Sequence, residues 1–281
     1  MMAQGGLEAG EGEGSKMDIE IKERSDNEMI LIIKDSDTSF VNAIRRTSMT
    51  EVPKLAIEYV NIIKNDSSMF DEVVAHRLGL IPLKSDEEAI NGIIMPSECE
   101  CEDYCPKCGI SLTLKKKGPG IVHSNDLKSE DEKVVPAYDT IPILRLRDDE
   151  EIELEAIAQL GVGMEHAKWK PTTACAYKYY PRITIGEECD QCHECIKACP
   201  RGILEEDESG KPKIVNIEDC TMCKSCMRAC EKGAINVGYE DGSFIFKVET
   251  DGSISAEELL ERACNILIEK ADNIIIFLEE E

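Results

Sequence analysis

Two runs of cysteine, thirty-one residues apart and matched cysteine for cysteine, constrain this chain more than any other feature. The first reads Cys189-x-x-Cys192-x-x-Cys195-x-x-x-Cys199-Pro200. The second reads Cys220-x-x-Cys223-x-x-Cys226-x-x-x-Cys230, and Gly202 recurs as Gly233. Together they hold eight of the fourteen cysteines. Self-similarity at a fixed period marks a duplicated structural unit. Three thiolates spaced two residues apart can wrap one face of an iron–sulfur cube, while a more distant cysteine closes the fourth corner. Paired zinc sites would use the C-x-x-C units but have no need of a third evenly spaced cysteine. Disulfides need an oxidising compartment, and the opening residues lack the basic-then-apolar order of a signal peptide. Glu231 stands where the first run has Pro200, so the second run departs from the pattern there.

The stretch from about residue 187 to 237 resembles a bacterial-type 2(4Fe-4S) ferredoxin. In such two-cluster domains the fourth cysteine of each run serves the other cluster. The expected ligand sets are therefore Cys189, Cys192, Cys195 and Cys230 for one cluster, and Cys220, Cys223, Cys226 and Cys199 for the second.

The remaining residues have to account for the function. A length of 281 residues suggests two or three domains, and 42% hydrophobic residues suffice for folded cores. The net charge of -25, from 57 acidic against 32 basic residues, argues against general nucleic-acid affinity for the chain alone. No apolar run approaches the roughly 20 residues that cross a bilayer. The expected setting is a soluble protein in the reducing cytoplasm. Met1 to Lys16, rich in Gly and Glu, reads as a disordered tail.

Ile19 and Ile21 alternate with polar residues ahead of the apolar run Met29 to Ile33, and Ser25-Asp26-Asn27 supplies a hairpin turn. Asp35 to Thr38 offers N-cap residues for a helix whose apolar face would carry Phe40, Val41, Ile44 and Met49. Arg45 and Arg46 point elsewhere, and by composition they are solvated. Val52 to Ile63 is strand-like, Met69 to Arg77 suits a short helix, and Pro82 holds the segment Gly79 to Leu83 extended.

These segments carry a second resemblance. Asn42-Ala43-Ile44-Arg45-Arg46, then Glu51-Val52-Pro53, then His76-Arg77-Leu78-Gly79-Leu80-Ile81-Pro82-Leu83 resemble the RNA polymerase α-like family. That family spans archaeal polymerase subunits, the third-largest subunit of eukaryotic polymerase II and the N-terminal domain of bacterial α. Glu165-His166-Ala167-Lys168-Trp169 and Tyr177-Lys178-Tyr179-Tyr180-Pro181 extend the likeness. A ferredoxin-like insertion narrows it to the archaeal members, some of which carry one.

Cys99-x-Cys101-x-x-x-Cys105-x-x-Cys108 sits in a loop marked by Pro96, Pro106 and Gly109. Four cysteines within ten residues suit a tetrahedral zinc site better than a set of free thiols. The spacing is also similar to the zinc loop of eukaryotic family members. Lys115-Lys116-Lys117-Gly118-Pro119-Gly120 reads as a solvated basic hairpin tip. Strands are expected at Ile141 to Leu144 and Glu151 to Leu160. Gly161-Val162-Gly163 is a turn and lacks the third glycine of a dinucleotide site. His166 has no partners at a catalytic spacing and reads as structural. Arg182 to Gly186 leads as a strand into the cysteine runs. Gly202 and Gly233 open matching strands, and Asp207 to Gly210 turns the hairpin between the runs. After Val237 the chain leaves the insertion, and Phe244, Phe246 and Val248 alternate in a further strand.

Ser255-x-x-Glu258 reads as a capping box. The helix behind it, from about Ala256 to Leu278, is on the order of 35 Å long. Leu260, Ala263, Leu267, Ala271, Ile274 and Leu278 form its apolar stripe, widened by Leu259 and Ile266. Ile275, Ile276 and Phe277 make its end apolar nearly all round. Such a helix is buried in its own core or against a partner, and a small β-module favours the partner.

The expected fold is α+β in three parts behind the tail of residues 1–16. Residues 17–51 and 241–281 form a discontinuous dimerisation module. Residues 52–181 and 238–240 form a mostly β inserted domain with the four-cysteine loop. Residues 182–237 form the ferredoxin-like domain. The resemblance implies an assembly subunit of DNA-dependent RNA polymerase. It implies pairing with the small α-like subunit L through the terminal helix, Arg45 and Arg46 facing the large subunits, and the small subunits N and P as further neighbours. DNA would be met only through the assembled complex, which transfers nucleotidyl groups. No Asp-x-Asp-x-Asp run offers a catalytic magnesium site in this chain. The competing class is a ferredoxin-type electron-transfer subunit, against which stands the lack of a flavin or nicotinamide fingerprint.

Overall fold

A computed structural model describes residues 17–279. The expected tail, Met1 to Lys16, and the last two residues of the closing segment lie outside the described residues. The chain divides into two compact units. Among the described residues, one gathers 17–20, Ile32–Thr38 and Lys178–Ile245. The other gathers Ile21–Leu31, Ser39–Tyr177 and 246–279.

The hairpin read from alternation is β1 (Asp18–Arg24) and β2 (Glu28–Lys34), its turn closed by Ser25 N–H donating to the Glu28 carbonyl at 2.8 Å. Helix α1 (Thr38–Thr50) buries Val41 and Ile44, but also Thr47 and Ser48. Phe40 stays 39% exposed, so the buried face is rotated from the expected one. A small hydroxyl residue can take that face where its polar atom bonds locally. Ser48 Oγ donates to the Ile44 carbonyl at 2.8 Å.

The inserted β region follows. Strand β3 (Lys54–Asn65) leads into α2 (Asp71–Gly79) and the one-turn α3 (Glu87–Ile90). Beyond the cysteine loop come β4 (Gly109–Lys117), β5 (Gly120–His123), β6 (Lys128–Ser129), β7 (Pro142–Leu146) and β8 (Glu151–Gly161). Strand β8 is central to a sheet of order β3-β8-β4-β6, while β5 pairs with β7. Its antiparallel partners run from Lys54↔Gly161 to Asn65↔Ile152 on one side and from Gly109↔Gln159 to Lys117↔Glu151 on the other. The alternation Ile152, Leu154, Ala156 sends one face into a core with Leu55, Ile57, Leu112, Leu114, Leu78 and Ile143. The opposite face carries Glu151, Glu153 and Glu155. That face engages part of the lysine run, in which Lys115 and Lys117 stay exposed. Lys115 pairs with Glu153 across the ladder at 2.7 Å, and Lys116 pairs with Asp126 at 2.6 Å.

After β9 (Thr172–Ile185) the cysteine runs fold as two short helices, α4 (Glu194–Lys197) and α5 (Ser225–Ala229). Between them lies the hairpin of β10 (Leu204–Glu206) and β11 (Pro212–Ile214). Asp207 turns that hairpin by accepting the N–H groups of Ser209 and Lys211 at 2.8 and 2.9 Å. The strands start two residues after Gly202 and Gly233. Both glycines sit at φ +63° and +65°, the left-handed region that makes the turn and that an L residue resists. Strand β12 (Ile235–Thr250) passes through Val237 without a break, so no strand end marks that residue. The sheet formed by the long strands has the order β1-β2-β12-β9.

Helix α6 (Ala256–Glu279) closes the chain. Its capping box is half formed. Ser255 Oγ accepts the Glu258 N–H at 3.2 Å, while the Glu258 carboxylate accepts instead from Glu87 N–H at 2.7 Å and from Arg262. Ala256, Leu259 and Ala263 are buried. Among the described residues no helix is long and apolar enough to cross a membrane.

Candidate metal centres and the terminal helix

The repeat in the sequence is a repeat in the backbone. Gln191 and His193 of the first run have φ of 60° and 63°, and Met222 and Lys224, thirty-one positions on, have 52° and 61°. Left-handed residues without glycine are uncommon and persist only where surrounding structure enforces them. Here they bend each run sharply between its cysteines. Two small hollows result. One is lined by Cys199, Cys220, Cys223 and Cys226. The other is lined by Cys189, Cys192, Cys195 and Cys230. Each hollow thus takes three cysteines from one run and the last cysteine of the other.

All eight cysteines are free thiols. Ile183, Ile203, Leu204, Ile235 and Val237 pack around them, a core too small to hold such a unit without staples. Burial pushes the Cys195 and Cys226 thiols up, whereas the Ser225 hydroxyl and N–H pull Cys223 down. A thiol coordinating a metal loses its proton outright, so free sulfurs that line a common hollow fit a metal cluster. Lys178, on β9, reaches the same region. Its ammonium donates to the carbonyls of Cys220, at 3.0 Å, and of Glu218, and burial lowers its pKa from the usual lysine value.

The second group is tighter. The Sγ atoms of Cys99, Cys101, Cys105 and Cys108 all lie within 4.8 Å of one another. Cys99 to Cys105 is 3.6 Å, Cys101 to Cys108 is 3.5 Å and Cys105 to Cys108 is 4.0 Å. Four thiolates about 2.3 Å from a zinc ion would be roughly 3.8 Å apart, so the donor set fits that ion. A turn builds the corner, with Cys108 N–H and Gly109 N–H both donating to the Cys105 carbonyl at 3.0 and 2.9 Å. The Lys107 N–H and the Cys99 thiol hold Cys105 down to about 7. Hydrogen bonds with Cys99 and Cys108 push Cys101 up to about 12. The buried Gln159 of β8 donates its carboxamide N–H to Cys108 Sγ at 3.8 Å and to the Asp103 carbonyl at 3.2 Å. Sequence reasoning missed Gln159. Its signal was a polar residue at a position where β8 is otherwise buried and apolar.

Residues 188–244 match the family described as 4Fe-4S dicluster domain, and residues 60–175 match the RNA polymerase Rpb3/RpoA insert domain. The DNA-directed RNA polymerase subunit Rpo3 of Methanothermobacter thermautotrophicus is 61% identical over 94% of this chain and 99% of its own. The chain belongs to the Rpo3 family of RNA polymerase subunits. Rpo3 of Methanobrevibacter smithii is 50% identical over 94% of this chain and 98% of its own. Rpo3 of Thermococcus kodakarensis is 35% identical over 92% and 96%. Membership of a polymerase complex and the presence of an iron–sulfur domain therefore stand together in one chain.

The other Rpo3 residues singled out in the sequence lie as follows. Arg45 is half-buried, with Nε and Nη2 donating to Asn42 Oδ1 at 3.1 and 3.0 Å and Nη1 to Met49 Sδ, while Arg46 is exposed. His166 accepts the Lys168 N–H at 3.1 Å and sets its ring edge-on to Trp169. Along α6, Ala263 is buried and Leu260 and Leu267 are half-buried, whereas Ala271, Ile274 and Leu278 are exposed. Ile274, Ile275, Ile276, Phe277 and Leu278 are 51–65% exposed.

Proposed function

We propose that this Rpo3 family member is a non-catalytic assembly platform of a cytoplasmic DNA-dependent RNA polymerase. The observation that carries this reading is the end of α6. Five consecutive large apolar residues, Ile274 to Leu278, are more than half exposed, on a helix whose first half packs on its own chain. Exposed apolar surface of this continuity marks a protein interface. The occupant we assign is the small α-like subunit L, with the stripe Leu260, Ala263, Leu267, Ala271, Ile274 and Leu278 as the contact. In this reading Arg45 and Arg46 face the large subunits, subunits N and P are further neighbours, and DNA is met only in the complex. The dimerisation module is residues 17–51 with 241–281, and the ferredoxin-like domain is 182–237. The test is co-expression with the small α-like subunit. Ile274→Asp should abolish its capture while iron content is kept, and full capture would overturn the assignment.

The crossed quartets, Cys189, Cys192, Cys195 and Cys230 against Cys199, Cys220, Cys223 and Cys226, would each hold one 4Fe-4S cluster. Cys99, Cys101, Cys105 and Cys108 would hold one zinc. The zinc would close the loop beside β8, and the clusters would supply structural order and one-electron redox capacity. Iron and sulfide analysis of anaerobically prepared protein should show two cubes per chain, and one cube's worth refutes the exchange. Exposure of Cys192 and Cys223 favours a second reading of the same unit, electron exchange with an outside donor.

A further inference from the structure

We infer that the two iron–sulfur sites are electrostatically unequal, and that Lys178 makes the site of Cys199, Cys220, Cys223 and Cys226 the one that takes up an electron first. This rests on the quartet assignment above. The duplicated backbone supplies the comparison. The loop from Cys189 to Cys195 carries Asp190 and Glu194 and no lysine or arginine, whereas the loop from Cys220 to Cys226 carries Lys224 and no carboxylate. At matched positions Asp190 becomes Thr221, His193 becomes Lys224 and Glu194 becomes Ser225. The hollows repeat the difference, one lined by Arg201 and Lys224, the other by Asp190 and His193.

Lys178 adds to this on one side. It is half-buried, and its ammonium donates to the carbonyls of Cys220 and Glu218, which are neutral acceptors. Arg201, by contrast, shares its charge with Asp219 at 4.0 Å where both are half exposed. At the first site Lys197 is exposed and tied to Glu194 at 2.8 Å. His193 there meets the Gly210 carbonyl at 2.7 Å and the Glu206 carboxylate at 3.8 Å. Cluster potentials follow net charge, hydrogen bonding to the ligands and exposure, and a charge is felt most where solvent is partly excluded. The step is one electron passing from a low-potential reductant to the cube held by the quartet. No bond to sulfur forms or breaks and no proton moves, so the site gains one negative charge, which a fixed cation favours.

The experiment is an anaerobic reductive titration of the full chain with dithionite and mediators, followed by electron paramagnetic resonance. Iron and sulfide are measured first. One cube's worth overturns the quartet assignment and this inference together, while two cubes with coincident reduction steps overturns this inference alone. The expected result is two one-electron steps. Lys178→Gln should make the first step about tenfold less favourable, about 59 mV for one electron, and leave the second in place. Lys178→Arg should restore it, which a merely structural role would not predict. A shift of both steps, or of neither, overturns the role of Lys178. If Lys178→Gln loses iron, Asp190→Thr decides. It should make the second step more favourable and narrow the gap, and an unmoved second step overturns the inference.

Discussion

Lys54 and Asp251 form an ion pair across 197 positions of sequence, with side chains only 4% and 18% exposed. The pair ties the first residue of β3 to the loop that launches α6. Asp251 is saturated, because its other oxygen accepts the Ser253 N–H at 3.0 Å and the Ser253 hydroxyl. Asp251→Ala would strand a buried ammonium, at a cost of about 3–5 kcal/mol. The double variant Lys54→Met, Asp251→Ala should recover part of that loss. Urea unfolding of the parent and the two variants checks this, and a loss for Asp251→Ala in the surface-pair range of about 1 kcal/mol or less contradicts it.

Gln159 should govern the four-cysteine loop through Cys108. A partner that orients a ligand typically contributes 10–100-fold to metal affinity. If the loop holds the zinc proposed above, Gln159→Ala should release it about 10–100-fold more readily to a chelator, with iron unchanged. Equal release from the variant and the parent would leave Gln159 as a packing residue only.

Ile274 is 63% exposed, so Ile274→Asp should leave the isolated chain as stable as the parent. At an apolar interface the same carboxylate has no partner and is strongly penalised. Each 1.4 kcal/mol is about tenfold in affinity, and a loss of roughly 100-fold or more for the small subunit is expected from titration binding. Leu267→Asp should impair both, because Leu267 is half-buried within its own chain. Undiminished binding by Ile274→Asp would place the interface elsewhere.

Asp126 gives an acid-side dependence. Burial alone would raise its pKa. The Lys116 ammonium at 2.6 Å and the His123 N–H at 2.8 Å outweigh that and hold it below the usual carboxylate value. A depressed folded pKa contributes stability that is complete above the unfolded value, about 3.9, and that disappears as pH falls through the folded value. The stability gap between the parent and Asp126→Asn should be constant above about pH 5 and shrink below pH 4. Thiolate ligands protonate in both proteins, so their difference isolates this carboxylate. A gap that widens on acidification would reverse the sign.

Gly161 shows where local reading stopped short. The sequence reads it as part of a turn, and it does end β8. Its deeper constraint is Trp169, whose ring occupies the place a Cβ would need, while the indole N–H donates to the Gln159 carbonyl at 3.1 Å. The lysine run was legible as basic and polar, but the pairing of Lys115 with Glu153 required the register of β4 against β8, and that of Lys116 with Asp126 the turn after β5. Phe40 was legible as apolar and proved exposed, while Ser48, its hydroxyl satisfied by the Ile44 carbonyl, lies on the buried face.

What the sequence determined by itself is what repeats or matches along the chain. The duplicated cysteine run specified a dicluster iron–sulfur domain, and its period recurs in the left-handed residues at matched positions. Asn42 to Arg46 and His76 to Leu83 carried the family, and the 3.6-residue period carried α6 to within a residue of its ends. Tertiary structure alone decided which distant groups meet: Gln159 with Cys108, Lys178 with Cys220, and Lys54 with Asp251. The reason is physical. Ligand spacing and helical period are properties of neighbouring residues. The partner of a buried amide or ammonium depends on sheet register and on which surface is withdrawn from water, and neither is encoded within any single window of sequence.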